Sequence, residues 1–442
     1  MSFIIRGRAI VLPDRVGPAA VHVRGGRIVN VTAYEAVESS VEVIDVGDFT
    51  VSPGIVDTHV HVNEPGRTEW EGFAHATRAA AAGGVTTLVD MPLNSIPATT
   101  NVSALEAKRA AAGGQCFVDV GFWGGVVPGN TGDLGPLTRA GALGFKCFLA
   151  PSGVAEFEHV SEPDVRAALP VLAELDRPLL VHAELPEALL PIDALANPRA
   201  YSTWVDSRPP SSEVAAIELM IDAARQSGAR VHIVHLATEE ALPALKQARR
   251  EGVSITVETC PHYLTFADVD VIDGDTRFKC APPIRSRHNR HALWRALFDG
   301  DIDLVVTDHS PAPPSLKRME DGDFVQAWGG IASLQVGLAA VWTEAVGRGA
   351  TVVDLARWMS SAPASLAGLQ GRKGAIAEGL DADLVVWDPD AEWTVDAAAL
   401  LHRHPVTPYT GYRLRGRVTR TFVRGQLVFA GDVVGPPRGE LL

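Results

Sequence analysis

Val51-Ser-Pro-Gly-Ile-Val-Asp57-Thr-His59-Val-His61 decides the reading of this 442-residue chain. A short apolar run leads into two histidines separated by one residue. In a β-strand successive side chains alternate faces, so His59 and His61 point the same way. Two imidazoles on one face can share a metal ion; two hydrogen-bonded histidines at a strand end are the simpler alternative. The rest of the chain bears on that choice, because it offers four more candidate ligands at comparable places.

Working outward, the middle of the chain alternates. Eight β-rich segments stand at 51–57, 85–90, 116–121, 143–149, 178–182, 229–235, 253–258 and 302–307. Helical patterns separate several of them. Glu69 to Ala82 is Ala-rich and stops at Gly83-Gly84, a good C-cap. Ser211 or Ser212 is suited to N-cap a helix with Val214, Ile217, Ile221 and Ala224 on one stripe, ending near Gly228. Strand–helix alternation repeated eight times predicts an α/β fold, a (β/α)8 TIM barrel. The rival, a doubly wound open sheet, would carry a Gly-rich phosphate turn after its first strand, and the sequence has none there. Both ends look different. Val21 to Val29 has two β-rich arms around Gly25-Gly26, and Ala382–Trp387, Val418–Val423 and Gln426–Phe429 read as strands. We therefore expect a small β-sandwich-like domain built from 1–52 and 366–442, around a barrel at 53–365.

Composition narrows the function. With 46% hydrophobic and 21% charged residues the chain is an ordinary globular one. A net charge of −14 argues against nucleic acid or an anionic membrane as partner. The four cysteines, Cys116, Cys147, Cys260 and Cys280, lack close pairing and read as reduced thiols. No apolar run has signal-peptide character or transmembrane length, so a cytoplasmic location is expected.

In a (β/α)8 barrel, chemistry sits at the C-terminal ends of the strands. The ionisable residues fall there: His59 and His61 after strand 1, Lys146 near the end of strand 4, His182 on strand 5, His235 on strand 6 and Asp308 on strand 8. Each has a plainer reading alone. A single strand-end histidine is often structural, Lys146 between Phe145 and Phe148 could be a salt-bridged core lysine, and Asp308 could cap a loop. His232, three residues before His235, faces the other way. Five strands supplying one rim make coincidence a poor explanation. A buried Lys146 amine can also react with CO2 to give a carbamate, an anionic oxygen ligand. Four imidazoles, an aspartate and a carbamate exceed what one zinc needs and suggest two divalent ions. Zinc suits the donors, and manganese, cobalt and iron also occupy such sites. The implied chemistry is hydrolysis of an amide-like bond.

Several stretches carry a family resemblance: Pro53–His61, Glu64–Arg67, Trp70–Gly72, Met91-Pro-Leu-Asn94, Gly144-Phe-Lys-Cys-Phe148, Glu258–Tyr263, Lys279–Arg285, Thr307–Pro311 and Ala327–Ile331. The chain resembles the cyclic amidohydrolases over essentially its whole length, and among them the allantoinases most closely. The resemblance implies one metal on His59, His61 and Asp308, a second on His182 and His235, and carboxylated Lys146 bridging them. It implies Asp308 as general base and then general acid, and a cyclic ureide substrate gripped near Asn63, Asn94, Ala281 and Gly330. Dihydroorotases usually carry arginine where Asn63 stands, to pair with a substrate carboxylate. Asn63 and Ala281 both replace the serines common in allantoinases, so hydantoinase- or dihydropyrimidinase-type hydrolysis stays as the alternative. A non-catalytic scaffold on the same fold is the reading from another class. Relatives of this kind are commonly homotetramers, so a homo-oligomer is expected. Ser310–Gln326 reads either as a lid over the site or as an ordinary surface connection.

Overall fold

The computed structural model describes residues 2–37, 41–433 and 435–442. Eight parallel strands form the barrel. In order they are Ile55–Val60, Val85–Asp90, Asp119–Phe122 continued by Gly124–Gly125, Phe145–Phe148, Leu179–His182, Val231–Ile233, Ile255–Thr259 and Leu304–Val305. The first three pair with one another, and the ladder from Gly124–Gly125 to Leu304–Val305 is continuous. A parallel bridge between Val60 and His309 closes the ring. Nearly every residue of these strands is buried, as a parallel sheet covered by helices requires. Helices including Phe73–Ala82, Val102–Ala112, Glu162–Glu174, Pro210–Ser227, Leu242–Arg250, Arg287–Asp299 and Gly337–Val346 alternate with the strands.

The two ends of the chain meet in a second, eight-stranded sheet. Its path runs Gln426–Phe429, Arg413–Val423, Leu384–Thr394, Thr50–Pro53, Ser2–Val11, Val16–Arg24, Arg27–Thr32, with Glu42–Asp45 also beside Ser2–Val11. Phe3, Ile5, Val21, Ile28, Val51, Leu384 and Phe422 belong to its own apolar cluster. The expected hairpin at Gly25-Gly26 is present, with Arg24 opposite Arg27. Both glycines have positive φ, 59° and 83°, as a type I′ turn needs.

Three local expectations are corrected. The segment 51–57 is two strands, not one. Thr50–Pro53 pairs with Leu384–Trp387 in the terminal sheet, and the barrel strand begins only at Ile55. Between them Gly54 lies so close to Thr86 that a Cβ would collide with it. The helix expected from Glu69 starts at Phe73, because Gly72 has φ 84° and interrupts it. The free Phe73 N–H is capped by the Glu64 carboxylate at 2.8 Å. The helix expected to be capped by Ser211 or Ser212 starts at Pro210, with Ser212 buried in its first turn. Proline at the first helical position costs no hydrogen bond. Gly228 ends this helix in the left-handed conformation, as expected.

Candidate active site

The six candidate ligands come together at the C-terminal mouth of the barrel. His59 Nε2 lies 3.1 Å from Asp308 Oδ1, and His61 Nε2 lies 3.6 Å from the same oxygen. His182 Nδ1 is 3.0 Å from His235 Nε2. The His59 and His235 rings stand 5.5 Å apart between centroids, so the two pairs face one another. Lys146 extends among them, its Nζ 4.8 Å from the Phe148 ring centroid. Strand alternation accounts for His59 and His61 sharing a side, and the parallel pairing of Phe148 with His182 brings strands 4 and 5 into register.

The electrostatics are those of a site whose ionisable groups are not all matched within the chain. Lys146 Nζ, His61 Nδ1 and His235 Nδ1 are buried with no hydrogen-bond partner among the described residues. Buried polar groups are ordinarily paired, so three unpartnered nitrogens in one place suit a metal-binding role. Burial draws the Lys146 ammonium down to about 8, against the opposing pull of Glu258 and Asp308. Burial and the neighbouring His182 and Lys146 hold His235 well below its ordinary range. Burial also disfavours charge on His59, but Asp308 and Glu258 outweigh it and raise that imidazole to about 9. Burial opposes ionisation of Asp308, yet the charge and hydrogen bond of His59 keep its carboxyl well below the usual range. His59, His235 and Asp308 each offer a ligand atom within 4.8 Å of the others. These donors fit a divalent metal ion.

A second set of residues orients these rings. Glu258 accepts from His59 Nδ1, leaving Nε2 to face the cavity, and its other oxygen is 2.9 Å from His232 Nε2. His232 Nδ1 meets Thr256 Oγ1 at 2.8 Å, and its register with Leu180, beside Lys146, puts it on the inward face of the barrel beneath the site. The expectation that it faces the other way fails because the left-handed backbone at His235 breaks the alternation between the two histidines. Glu184 fixes His182 through Nε2 at 2.7 Å and is itself held by Arg208 at 2.6 and 3.0 Å. Asp57 accepts from the His59 N–H at 3.1 Å and from Thr307 Oγ1 at 2.6 Å, tying strand 1 to strand 8. The sequence reading missed Glu258, Glu184 and Asp57. Glu184 lies two residues beyond the cavity-facing His182, which was the available signal for it; no residue of Ile255–Thr259 lines the cavity, and Glu258 had no such marker. His235 and Asp308 have φ of 39° and 45°, and Asn63 and Asn94 of 67° and 65°. Left-handed backbone at non-glycine residues is costly and gathers at functional sites.

Above the histidines lies a cavity of about 320 Å³. Asn94, Ala281 and Gly330 line it, together with Phe148, Trp204, Lys279 and Trp328. Asn63 is buried just behind the wall. Its Oδ1 accepts from Asn94 Nδ2 at 3.1 Å and its Nδ2 reaches the Pro311 carbonyl at 3.4 Å. Asn63 therefore orients Asn94, and it is Asn94 that faces the space. Only the ends of 310–326, Ser310 and Gln326, reach the cavity, while Lys317 is buried against its outer wall. The four cysteines are free and buried. No helix among the described residues is long and apolar enough to cross a membrane.

A barrel whose strand ends present four histidines, a lysine and an aspartate is the architecture of metal-dependent amide hydrolases. The amidohydrolase family model matches residues 50–428, and the chain belongs to that family. Among its relatives, the allantoinase of Streptomyces avermitilis is 48% identical over 100% of this chain and 98% of its own. The allantoinase of Arabidopsis thaliana is 47% identical over 96% of this chain and 87% of its own. Among solved structures, L-hydantoinase (dihydropyrimidinase) from Arthrobacter aurescens aligns with a TM-score of 0.94 at 29% identity, over 100% of this chain and 99% of that one.

Proposed function

We propose that this protein hydrolyses the ring amide of allantoin to give allantoate. The observation that carries the chemistry is the convergence of His59, His61, His182, His235 and Asp308 on one cavity floor, with Lys146 buried beside them and three buried nitrogens unpartnered. In this reading His59, His61 and Asp308 would hold one divalent ion, His182 and His235 would hold a second, and Lys146, as a carbamate, would supply an anionic oxygen ligand between the two sets. When bound, such ions polarise a carbonyl and lower the pKa of water to near neutrality. Zinc is the favoured metal on donor type.

The chain's own residues do the rest. Asp308 takes one proton as the water oxygen bonds to the ring carbonyl carbon. It returns that proton to the ring nitrogen as the carbon–nitrogen bond breaks. The other water proton leaves when the new carboxyl ionises. Glu258 and Glu184 keep the imidazoles turned toward the cavity, and burial of the floor keeps stray water from the reacting carbon. Asn94 and the backbone at Ala281 and Gly330 grip the ring.

The substrate is argued from degree of likeness. Identities of 39–48% to allantoinases stand against 26–29% to the hydantoinases and dihydropyrimidinases of known structure. Asn63 in place of an arginine disfavours a carboxylate-bearing ring such as dihydroorotate. The test is turnover by purified protein, supplied with metal and bicarbonate, on allantoin, hydantoin, dihydrouracil and dihydroorotate in parallel. Allantoin should be preferred by at least tenfold in kcat/KM, about 1.4 kcal/mol. Preference for another ring would overturn the substrate and keep the mechanism.

A further inference from the structure

Lys317 is 2% exposed, and no carboxylate lies within ion-pair distance of it among the described residues. A buried ammonium without a counter-charge is expensive. This one is compensated by main-chain carbonyls alone. Its Nζ donates to the oxygens of Gly330 at 2.8 Å, Trp328 at 3.1 Å and Lys279 at 3.5 Å. An ammonium has three donors, and here they meet three acceptors.

Those carbonyls belong to both sides of the cavity wall. Lys279, Cys280 and Ala281 form one edge, and Ala327 to Gly330 the other. The edges are tied again by the Gly330 N–H to the Lys279 carbonyl at 2.8 Å. Lys279 repeats the device in the opposite direction, its Nζ donating to Ala327 at 2.6 Å and Val325 at 3.0 Å. Lys317 is held in turn, because Thr276 donates to its carbonyl and Trp328 N–H reaches Leu316 at 2.8 Å.

We propose that Lys317 is a positioning residue for substrate. Its ammonium pins the Trp328–Gly330 backbone to the Lys279–Ala281 backbone and so sets the spacing of the wall that holds the ring. It touches none of the six candidate metal ligands. This deepens the reading of the cavity as a cyclic-ureide site and rests on it. A second consequence is that the segment 310–326 is anchored at its middle, so lid motion, where it occurs, is confined to the stretches either side of Lys317.

The test is Lys317→Met, which keeps the bulk and removes the donors. With the metal-loaded enzyme and allantoin, KM should rise about tenfold or more while kcat stays within about threefold and metal content is unchanged. Such a split marks lost substrate binding, whereas general damage lowers kcat and metal content together. Lys317→Arg should not restore KM, since a planar fork does not match three converging carbonyls. If Lys317→Met does not fold, Lys317→Gln, which keeps two N–H donors, takes its place with a smaller rise in KM. Amide hydrogen exchange is read in parallel, and Gly330 should exchange faster in the variant. Unchanged KM, or a fall in kcat matching the rise in KM, overturns the proposal. If the wild-type protein turns over no cyclic amide, the proposed reaction falls, and exchange at Gly330 alone decides the clamp: faster exchange supports it and unchanged exchange refutes it.

Discussion

Lys146 and Lys373 are both wholly buried lysines, and they are opposites. Lys373 Nζ sits among three carboxylates, at 2.6 Å from Asp119, 2.6 Å from Asp383 and 3.1 Å from Asp381. Burial works against its charge, but Asp383 and Asp119 more than reverse that, and its pKa is raised. Arg424 adds a second cation on Asp119. This cluster joins the start of barrel strand 3 to the terminal sheet, at the end of the barrel away from the cavity. Lys146 has no partner, and burial lowers it to about 8. Where charges are matched, the fold is being held. Where they are left unmatched inside the protein, something else is meant to complete them.

The sharpest way to break this contrast is at the unmatched end. Lys146→Ala should lose at least one metal ion and nearly all turnover; metal analysis finding two tightly bound ions would remove the carbamate bridge from the mechanism. Asp308→Asn keeps an oxygen ligand and loses the base. Metal content should stay near normal while kcat falls by about 10³-fold or more. Retention of activity within tenfold would take the proton-transfer role from Asp308.

The matched end should fail differently. Lys373→Met strips the cation from three buried acids, and breaking such a cluster costs about 3–5 kcal/mol. Chemical denaturation should report that loss. Turnover per folded molecule and metal content should be unchanged, because no residue of the cluster lines the cavity. A fall in kcat without loss of stability would mean that the two ends are coupled.

Much of this division was legible in the sequence. Period-2 alternation put His59 and His61 together, and strand ends gave Lys146, His182, His235 and Asp308. Eight strands were countable, but their bounds were not. Pairing with Leu384–Trp387 claims Thr50–Pro53 for the other sheet, and that partner lies more than 300 residues away in sequence. The eighth strand shrinks to Leu304–Val305 because the Thr307 N–H and hydroxyl turn to the Asp57 carboxylate instead of a neighbouring strand. Glu258 was quoted in a motif with no role assigned. Alternation says which face a side chain takes and not which atom it meets, and the tie from Glu258 to His59 spans 199 residues. Lys317 looked like part of a charged surface loop, since a buried ammonium compensated only by carbonyls leaves no side-chain pattern to read.

Glu258 offers a subtler test, since it is buried and charged yet fully partnered beside the unmatched groups. Burial resists its ionisation, but His59 and His232 overcome this and bring its pKa to about 2. Glu258→Gln keeps the shape and loses the charge that fixes the His59 tautomer. Losses of this kind lower metal affinity by about 10–100-fold. A chelator competition series should find that shift, and unchanged affinity would reduce Glu258 to a packing residue.

From Glu258 the chain of bonds runs outward through His232 to Thr256, whose hydroxyl is 2.8 Å from His232 Nδ1. Thr256 is exposed, so water can replace its hydroxyl when it is removed. His232 would then keep its tautomer, Glu258 its partner and His59 its orientation. Thr256→Val should therefore cost at most about 1 kcal/mol of stability, the net worth of one hydrogen bond. Metal affinity should move by less than about threefold, well under the change expected for Glu258→Gln. Equal effects at Thr256 and Glu258 would mean that the site is tuned from the surface inward and that water does not substitute in this chain. A graded decline would locate the boundary between the functional and the structural charges at His232, which lies on the inward face of its strand beneath the site.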